Sequence, residues 1–222
     1  MVMVYVPAGG FMMGSTDADT EASANEKPQH RVYLDAYWID RTEVTKAQYQ
    51  RCVASGICAA PSCSGTGKGD HPVVCVSWQD ASKYCAWAER RLPTEAEWEK
   101  AVRGTEGRKY PWGNDAPDCS RVNYSGCGDT TTAVGSYPYG ASAYGALDMA
   151  GNVWEWVADW YNDKYYTKSP AENPPGPDSG DVRVLRGGSW NYFQRVVRAA
   201  VRDRLFTDGR NDFVGFRCAR SR

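Results

Sequence analysis

Apolar residues near the start of the chain recur at every second position. In Val4 to Met13 the alternation is broken by Pro7 and Gly9-Gly10, which predicts a strand, a turn and a second strand. Residues 16–28 (TDADTEASANEKP) are polar and acidic and read as a surface loop, without the Asp-x-Asp-x-Asp-Gly spacing of a calcium loop. His30 to Ile39 alternates again, as one half-buried strand. Asp40 to Thr45 then opens a helix, with Thr42 or Thr45 as N-cap and Tyr49 and Val53 among its apolar positions. From Cys52 to Asp70 periodicity disappears into a Gly- and Ser-rich loop that needs a staple, for which Cys58 with Cys63 is a local choice. His71 to Val76 reads as a short apolar strand. Ser77 to Asp80 caps a helix over ASKYCAWAERR, and Thr94, with Glu97 three residues on, caps another.

The last stretch, Val184 to Arg220, organises the rest. Gly187-Gly188 before Trp190 and Val214-Gly215-Phe216 before Cys218 read as strand ends with tight turns. Between them, Tyr192, Phe193, Leu205 and Phe206 alternate with arginines and aspartates, a mixture that suits a solvent-facing surface better than a core.

Composition narrows the picture. A chain of 222 residues without a linker-like stretch is read as one domain, 1–222. The formal charge of -1 gives no general attraction to phosphate backbones, so nucleic acid is not expected as a partner. No apolar run approaches a membrane span, and residues 1–14 have neither the basic start nor the apolar centre of a signal peptide. Eight cysteines without a CxxC pair, beside only His30 and His71, favour disulfides over zinc. Disulfides point to an oxidising compartment (secreted, cell-surface or periplasmic) or to a thermophile's cytosol.

RLPTEAEWEKAVRG, YPWGN, YGALDMAGNVWEWVADWY, RVLRGGSW and VGFRCAR occur in the order typical of the formylglycine-generating enzyme family, the sulfatase-modifying factor domain, and the resemblance runs from about Val4 to Arg220. It implies a single loop-rich α+β domain similar to C-type lectins, with the chain ends meeting in one sheet. It also implies a long-range disulfide between Cys85 and Cys218, and a structural Ca²⁺ with ligands at Asn123, Asn152, Val153 and Glu155. The alternative at those residues is that Asn152 and Glu155 brace the loop without metal. Cys119 and Cys127 flank Asn123 closely enough to close its loop, whereas Cys52, Cys58, Cys63 and Cys75 allow three pairings.

Chemistry is where the chain departs from the family. Formylglycine-generating enzymes oxidise a protein cysteine with O₂ on copper(I) held by two cysteines after GGS, and only soft thiolates suit that ion. Here Tyr192 stands near the first of those positions, the second has no match, and no cysteine lies between Cys127 and Cys218. Ser189 matches the GGS serine but has no histidine near it in sequence. The iron-dependent sulfoxide synthases that share the domain carry their histidines on an extra helical domain, and this chain has two histidines in all. Neither copper nor iron is therefore expected. The remaining expectation is a binding module, with enzymatic oxidation as the alternative. In C-type-lectin-like relatives diversified by retroelements, the segment between GGSW and GFR forms the ligand surface. Carried over, Tyr192, Phe193, Arg195, Val196, Val201, Asp203, Leu205, Phe206 and Gly209 would meet a protein or other ligand. They would stand among structural residues Trp190, Arg198, Ala199, Ala200, Arg202, Arg204, Asp208 and Arg210. The bland reading is that this segment covers the core or a neighbouring domain.

Overall fold

The computed structural model describes residues 1–222. Strands β1 (Met3–Val6) and β2 (Gly9–Met13) flank Pro7 as their alternation predicts, but they do not pair with each other. β2 pairs antiparallel with β3 (His30–Leu34), and β1 pairs antiparallel with β4 (Tyr37–Asp40). The single strand expected from His30 to Ile39 is thus two. The chain changes sheets at Asp35, whose N–H is taken by Asn173 Oδ1 at 2.9 Å. The last strand, β9 (Ala219–Ser221), joins the other edge of β4, so both chain ends lie in one three-stranded sheet.

Each of the three helices begins at a reciprocal cap. Thr45, not Thr42, caps α1 (Lys46–Ala54), with its hydroxyl on the Gln48 N–H and the Gln48 side chain returning to the Thr45 N–H. Ser77 and Asp80 do the same for α2 (Trp78–Trp87), which ends short of the expected Arg91, and Thr94 and Glu97 for α3 (Glu95–Arg103). Losing such a cap costs about 1 kcal/mol.

A third sheet, of four strands, has the order β7 (Asp203–Phe206), β6 (Val182–Arg186), β5 (Trp154–Trp160), β8 (Val214–Phe216), with β8 parallel to β5 and the other pairs antiparallel. Because side chains alternate along a strand, β5 sends Trp154 and Trp156 into the cluster with α1 and α2, and Val157 into the cluster with α3 and β1 to β4. Residues 71–76, expected as a strand, bury Val73, Val74 and Val76 but form none. Cys75 takes the left-handed φ of 59°, which ends any extended run, and its N–H goes to Asn211 O at 2.9 Å.

All eight cysteines are paired. Cys85–Cys218 ties α2 to the C-terminal strands across 133 residues, and Cys119–Cys127 closes the loop around Asn123. The remaining four form Cys52–Cys58 and Cys63–Cys75, so the Cys58–Cys63 staple is not made. The turn after α1 brings the Cys58 N–H onto Cys52 O at 3.3 Å and so sets Cys58 against the helix end that bears Cys52.

Helix α3 is buried along its whole length although five of its nine residues are charged. Four find opposite charges, as buried ions must. Lys100 finds none, and its ammonium donates to Pro7 O and Gly9 O, both at 2.8 Å. Burial lowers its pKa to about 8. Because the unfolded chain then binds more protons between pH 8 and the ordinary lysine range, this group makes stability rise with pH across that interval. Urea midpoints at pH 7.5 and 9.5 should therefore increase for the parent chain relative to Lys100→Met, and parallel curves would contradict the assignment.

Candidate functional site

The C-terminal segment leaves β6 through Gly187 and Gly188, at φ of 99° and 77°. A side chain on the first would press on the Trp98 ring at 3.2 Å and on the second would meet Val197 Cγ1 at 2.9 Å, so both positions require glycine. Ser189 is buried and donates from Oγ to Asn191 Oδ1 at 2.7 Å, bracing the turn.

Three arginines then hold the segment from beneath. Arg186 donates to the carbonyls of Ala199, Ala200 and Val201 at 2.9, 3.1 and 2.6 Å, and to Glu99 at 2.5 Å. Arg198 grips both oxygens of Glu26 at 2.9 Å, and Arg202 grips Glu95 at 2.6 and 2.9 Å. Burial opposes the charge on Arg202, but the Glu95 carboxylate outweighs it and raises the pKa further, so the arginine stays protonated.

On this base the nine predicted surface residues divide. Phe193 and Phe206 are 72% and 62% exposed, and Arg195 is also exposed. Tyr192, Val196, Val201, Asp203, Leu205 and Gly209 are half-buried. Tyr192 sets its ring against Trp154 and Phe213, with centroids 5.7 Å away in each case, and Val196, Val201 and Leu205 pack on the same cluster. The segment is therefore not the wholly free surface its composition suggests, because it also roofs the core. The alternation of β7 explains Leu205 and Phe206, which project to opposite sides. Among the residues taken as structural, Arg198, Ala199, Ala200 and Arg202 are buried, while Arg204 and Asp208 are exposed and Arg210 reaches out to Asp80 at 2.6 Å.

The four residues that the resemblance nominates for calcium lie close together but with mixed commitments. Asn152 adopts the left-handed φ of 60°, donates from Nδ2 to Glu43 Oε2 at 2.8 Å, and accepts the Thr132 N–H on Oδ1 at 2.9 Å. The Val153 N–H donates to Glu43 Oε1 at 3.3 Å. Glu155 departs from its expected role, because Arg217 donates to both its oxygens at 2.7 Å and Trp98 Nε1 to one of them at 2.9 Å. Its oxygens are thus taken by a guanidinium and do not fit a cation cage. Asn123 Oδ1, by contrast, is buried and without a hydrogen-bond partner. Glu43, absent from the sequence expectation, is the hub of the group. Burial first, then the neighbouring Asp148 and Glu155, push its carboxyl pKa well up.

For copper the residues present do not fit. Every cysteine is in a disulfide, and Tyr192 and its neighbours offer no thiol. His30 Nδ1 lies 3.0 Å from Pro28 O, with its ring against Tyr166, and His71 Nδ1 lies 3.0 Å from Thr131 Oγ1, so the two histidines occupy separate settings.

Beside the C-terminal segment is a hollow of about 270 Å³ lined by Arg195, Val196, Val201, Asp203 and Trp154, among others. Nothing in GNVWEW singles out Trp154, which reads there like any core tryptophan.

Joined chain ends, three small sheets, three short helices and long ordered loops define a loop-rich α+β domain of the C-type-lectin-like type. The family described as sulfatase-modifying factor enzyme 1-like domain matches residues 1–222, and the chain belongs to it. A formylglycine-generating enzyme of Streptomyces coelicolor is 36% identical over 279 residues, covering 97% of this chain and 88% of that protein. Among solved structures, PvdO from Pseudomonas aeruginosa superposes with a TM-score of 0.86 at 29% identity, covering 98% of this chain and 93% of that one. Treponema denticola variable protein 1 superposes with a TM-score of 0.81 at 26% identity, covering 98% and 94%. The chain spans only 38% of another relative, a serine/threonine-protein kinase pkn1 of Chlamydia caviae that is 36% identical.

Proposed function

We propose that this chain is a non-catalytic binding module that meets a protein or other ligand through the segment between Trp190 and Phe213, in the manner of a diversified variable protein. The observation that carries this reading is the split within the segment. Buried Arg186, Arg198 and Arg202 fix its backbone from below, while Phe193, Arg195 and Phe206 project into solvent and carry no part of that scaffold. Exposed aromatic and arginine side chains on a rigid base give large contact area at small entropic cost. The likeness to Treponema denticola variable protein 1 supports the same reading. A second reading, oxidation of a protein cysteine, is favoured by the 36% identity to a formylglycine-generating enzyme and disfavoured by the lack of any free thiol. Four disulfides suit a secreted or periplasmic setting, and no helix is long and apolar enough to cross a membrane.

The test is differential stability. Phe193→Ala with Phe206→Ala should leave the melting temperature within about 2 °C of the parent, because exposed side chains contribute little. Tyr192→Ala or Leu205→Ala should each cost roughly 1–2 kcal/mol, about 2–8 °C for a chain of this size. A drop of that size in the double Phe variant would show that these rings cover the core, and the binding surface would be lost with them.

A further inference from the structure

The hollow beside the C-terminal segment contains a group that the fold leaves unsatisfied. Trp154 is 1% exposed, yet its indole Nε1 has no hydrogen-bond acceptor. An indole N–H is a donor only, and leaving one buried and unpaired costs about 1–3 kcal/mol. Trp98 Nε1 donates to Glu155 and Trp156 Nε1 to Val76 O, whereas Trp190 Nε1, on a half-buried ring outside this hollow's lining, shares the unpaired state of Trp154. Trp154 lines the hollow and carries a donor that no group of the chain takes up.

The rest of the lining indicates what brings it. Glu21, Ser23 and Glu26 also line the hollow, but Glu21 pairs with Lys109 and Glu26 with Arg198, and Arg202 is engaged with Glu95; Arg195 is exposed and takes no part in those pairs. Asp203 accepts its neighbour's N–H on Oδ1 at 2.8 Å, which leaves Oδ2 for a donor. Val196 and Val201 supply apolar wall. Among the charged and indole groups of the lining not already paired within the chain, two donors and one acceptor beside an aliphatic wall match a carboxylate with a nitrogen donor on the adjacent carbon and a small apolar side chain. That is the chemistry of an aliphatic α-amino acid, and equally of a peptide's C-terminal residue. A hollow of about 270 Å³ has room for one such residue.

We propose that this hollow binds a terminal α-carboxylate, with Trp154 Nε1 and Arg195 as donors to it and Asp203 as acceptor for the adjacent N–H. The proposal rests on the binding-module reading and deepens it.

The test follows the indole N–H signals of the nine tryptophans by ¹H–¹⁵N NMR on the full chain. The Trp154 signal is identified by its loss in Trp154→Phe or, if that variant does not fold, by through-bond assignment. L-Valine and N-acetyl-L-valine should each move that signal downfield, and L-valinamide, which lacks the carboxylate, should not. Arg195→Ala should weaken binding at least about tenfold, the loss expected for a charge-assisted hydrogen bond. Tighter binding of L-valine identifies a free amino acid as the source, and tighter binding of the acetylated form a peptide end. Either ordering supports the shared chemistry. A Trp154 signal unmoved by both carboxylates up to roughly fifty-millimolar ligand, an affinity far below any useful recognition, would overturn the proposal. So would an equal response to valinamide. If this fails while the double Phe variant melts like the parent, the terminal-carboxylate site falls and the wider binding surface stands.

Discussion

Replacing Cys85 and Cys218 together by alanine is expected to lower the unfolding free energy by about 5 kcal/mol, the cost of releasing a loop this long from the unfolded chain's constraint. The bond spans 133 residues and fixes α2 to the strand end that follows Val214-Gly215-Phe216, with both cysteines buried. Only nine short strands and three helices of nine or ten residues hold the remainder, so few contacts elsewhere can compensate. Urea unfolding of the double variant against the parent measures the effect. A loss below about 1 kcal/mol would mean that the unfolded chain is already compact and that the closure argument fails. The Cys52–Cys58 bond closes only a short loop and should contribute less.

The second large effect is expected at Arg217, in the GFRC motif. Its guanidinium is fully buried, chelates Glu155 at 2.7 Å twice, and donates to the carbonyls of Asp40, Arg41, Leu147 and Asp148 at 2.9 to 3.3 Å. One side chain thereby gathers the ends of β4 and β5 and the turn at 147–148. Arg217→Met leaves Glu155 as a buried, unpaired charge and should cost about 3–5 kcal/mol. Arg217→Lys should recover little of it, since an ammonium cannot span a fork of that geometry. Adding Glu155→Gln to Arg217→Met should return part of the loss, with a coupling of roughly 1–3 kcal/mol across the cycle. Strict additivity would show that the pair is not the source of the effect.

Much of this architecture was legible because local chemistry and tertiary structure agree. Thr45, Ser77 and Thr94 cap helices where capping-box spacing places them, and Gly187-Gly188 turn where only glycine fits. What was not legible depends on distant partners. The break at Asp35 comes from Asn173, the irregular course of 71–76 from a left-handed Cys75, and the Cys52–Cys58 pairing from the turn after α1. The same limit applies at the candidate site. Alternation of aromatics and arginines marks the C-terminal segment, but nothing in it separates Phe193, which is exposed, from Tyr192, which rests on Trp154. Nor does Trp154 within GNVWEW reveal that its N–H lacks an acceptor, because that depends on what the rest of the fold fails to supply.

The central claim is that a scaffold shared with cysteine-oxidising enzymes here holds a binding surface in place of a redox centre. It is tested most directly by oxygen uptake of the purified, fully disulfide-bonded protein given copper(I) and a cysteine-containing peptide. No uptake beyond that of copper and peptide alone is expected, since no thiol remains to hold the ion. Sustained protein-dependent uptake, with conversion of the peptide cysteine to an aldehyde, would contradict it.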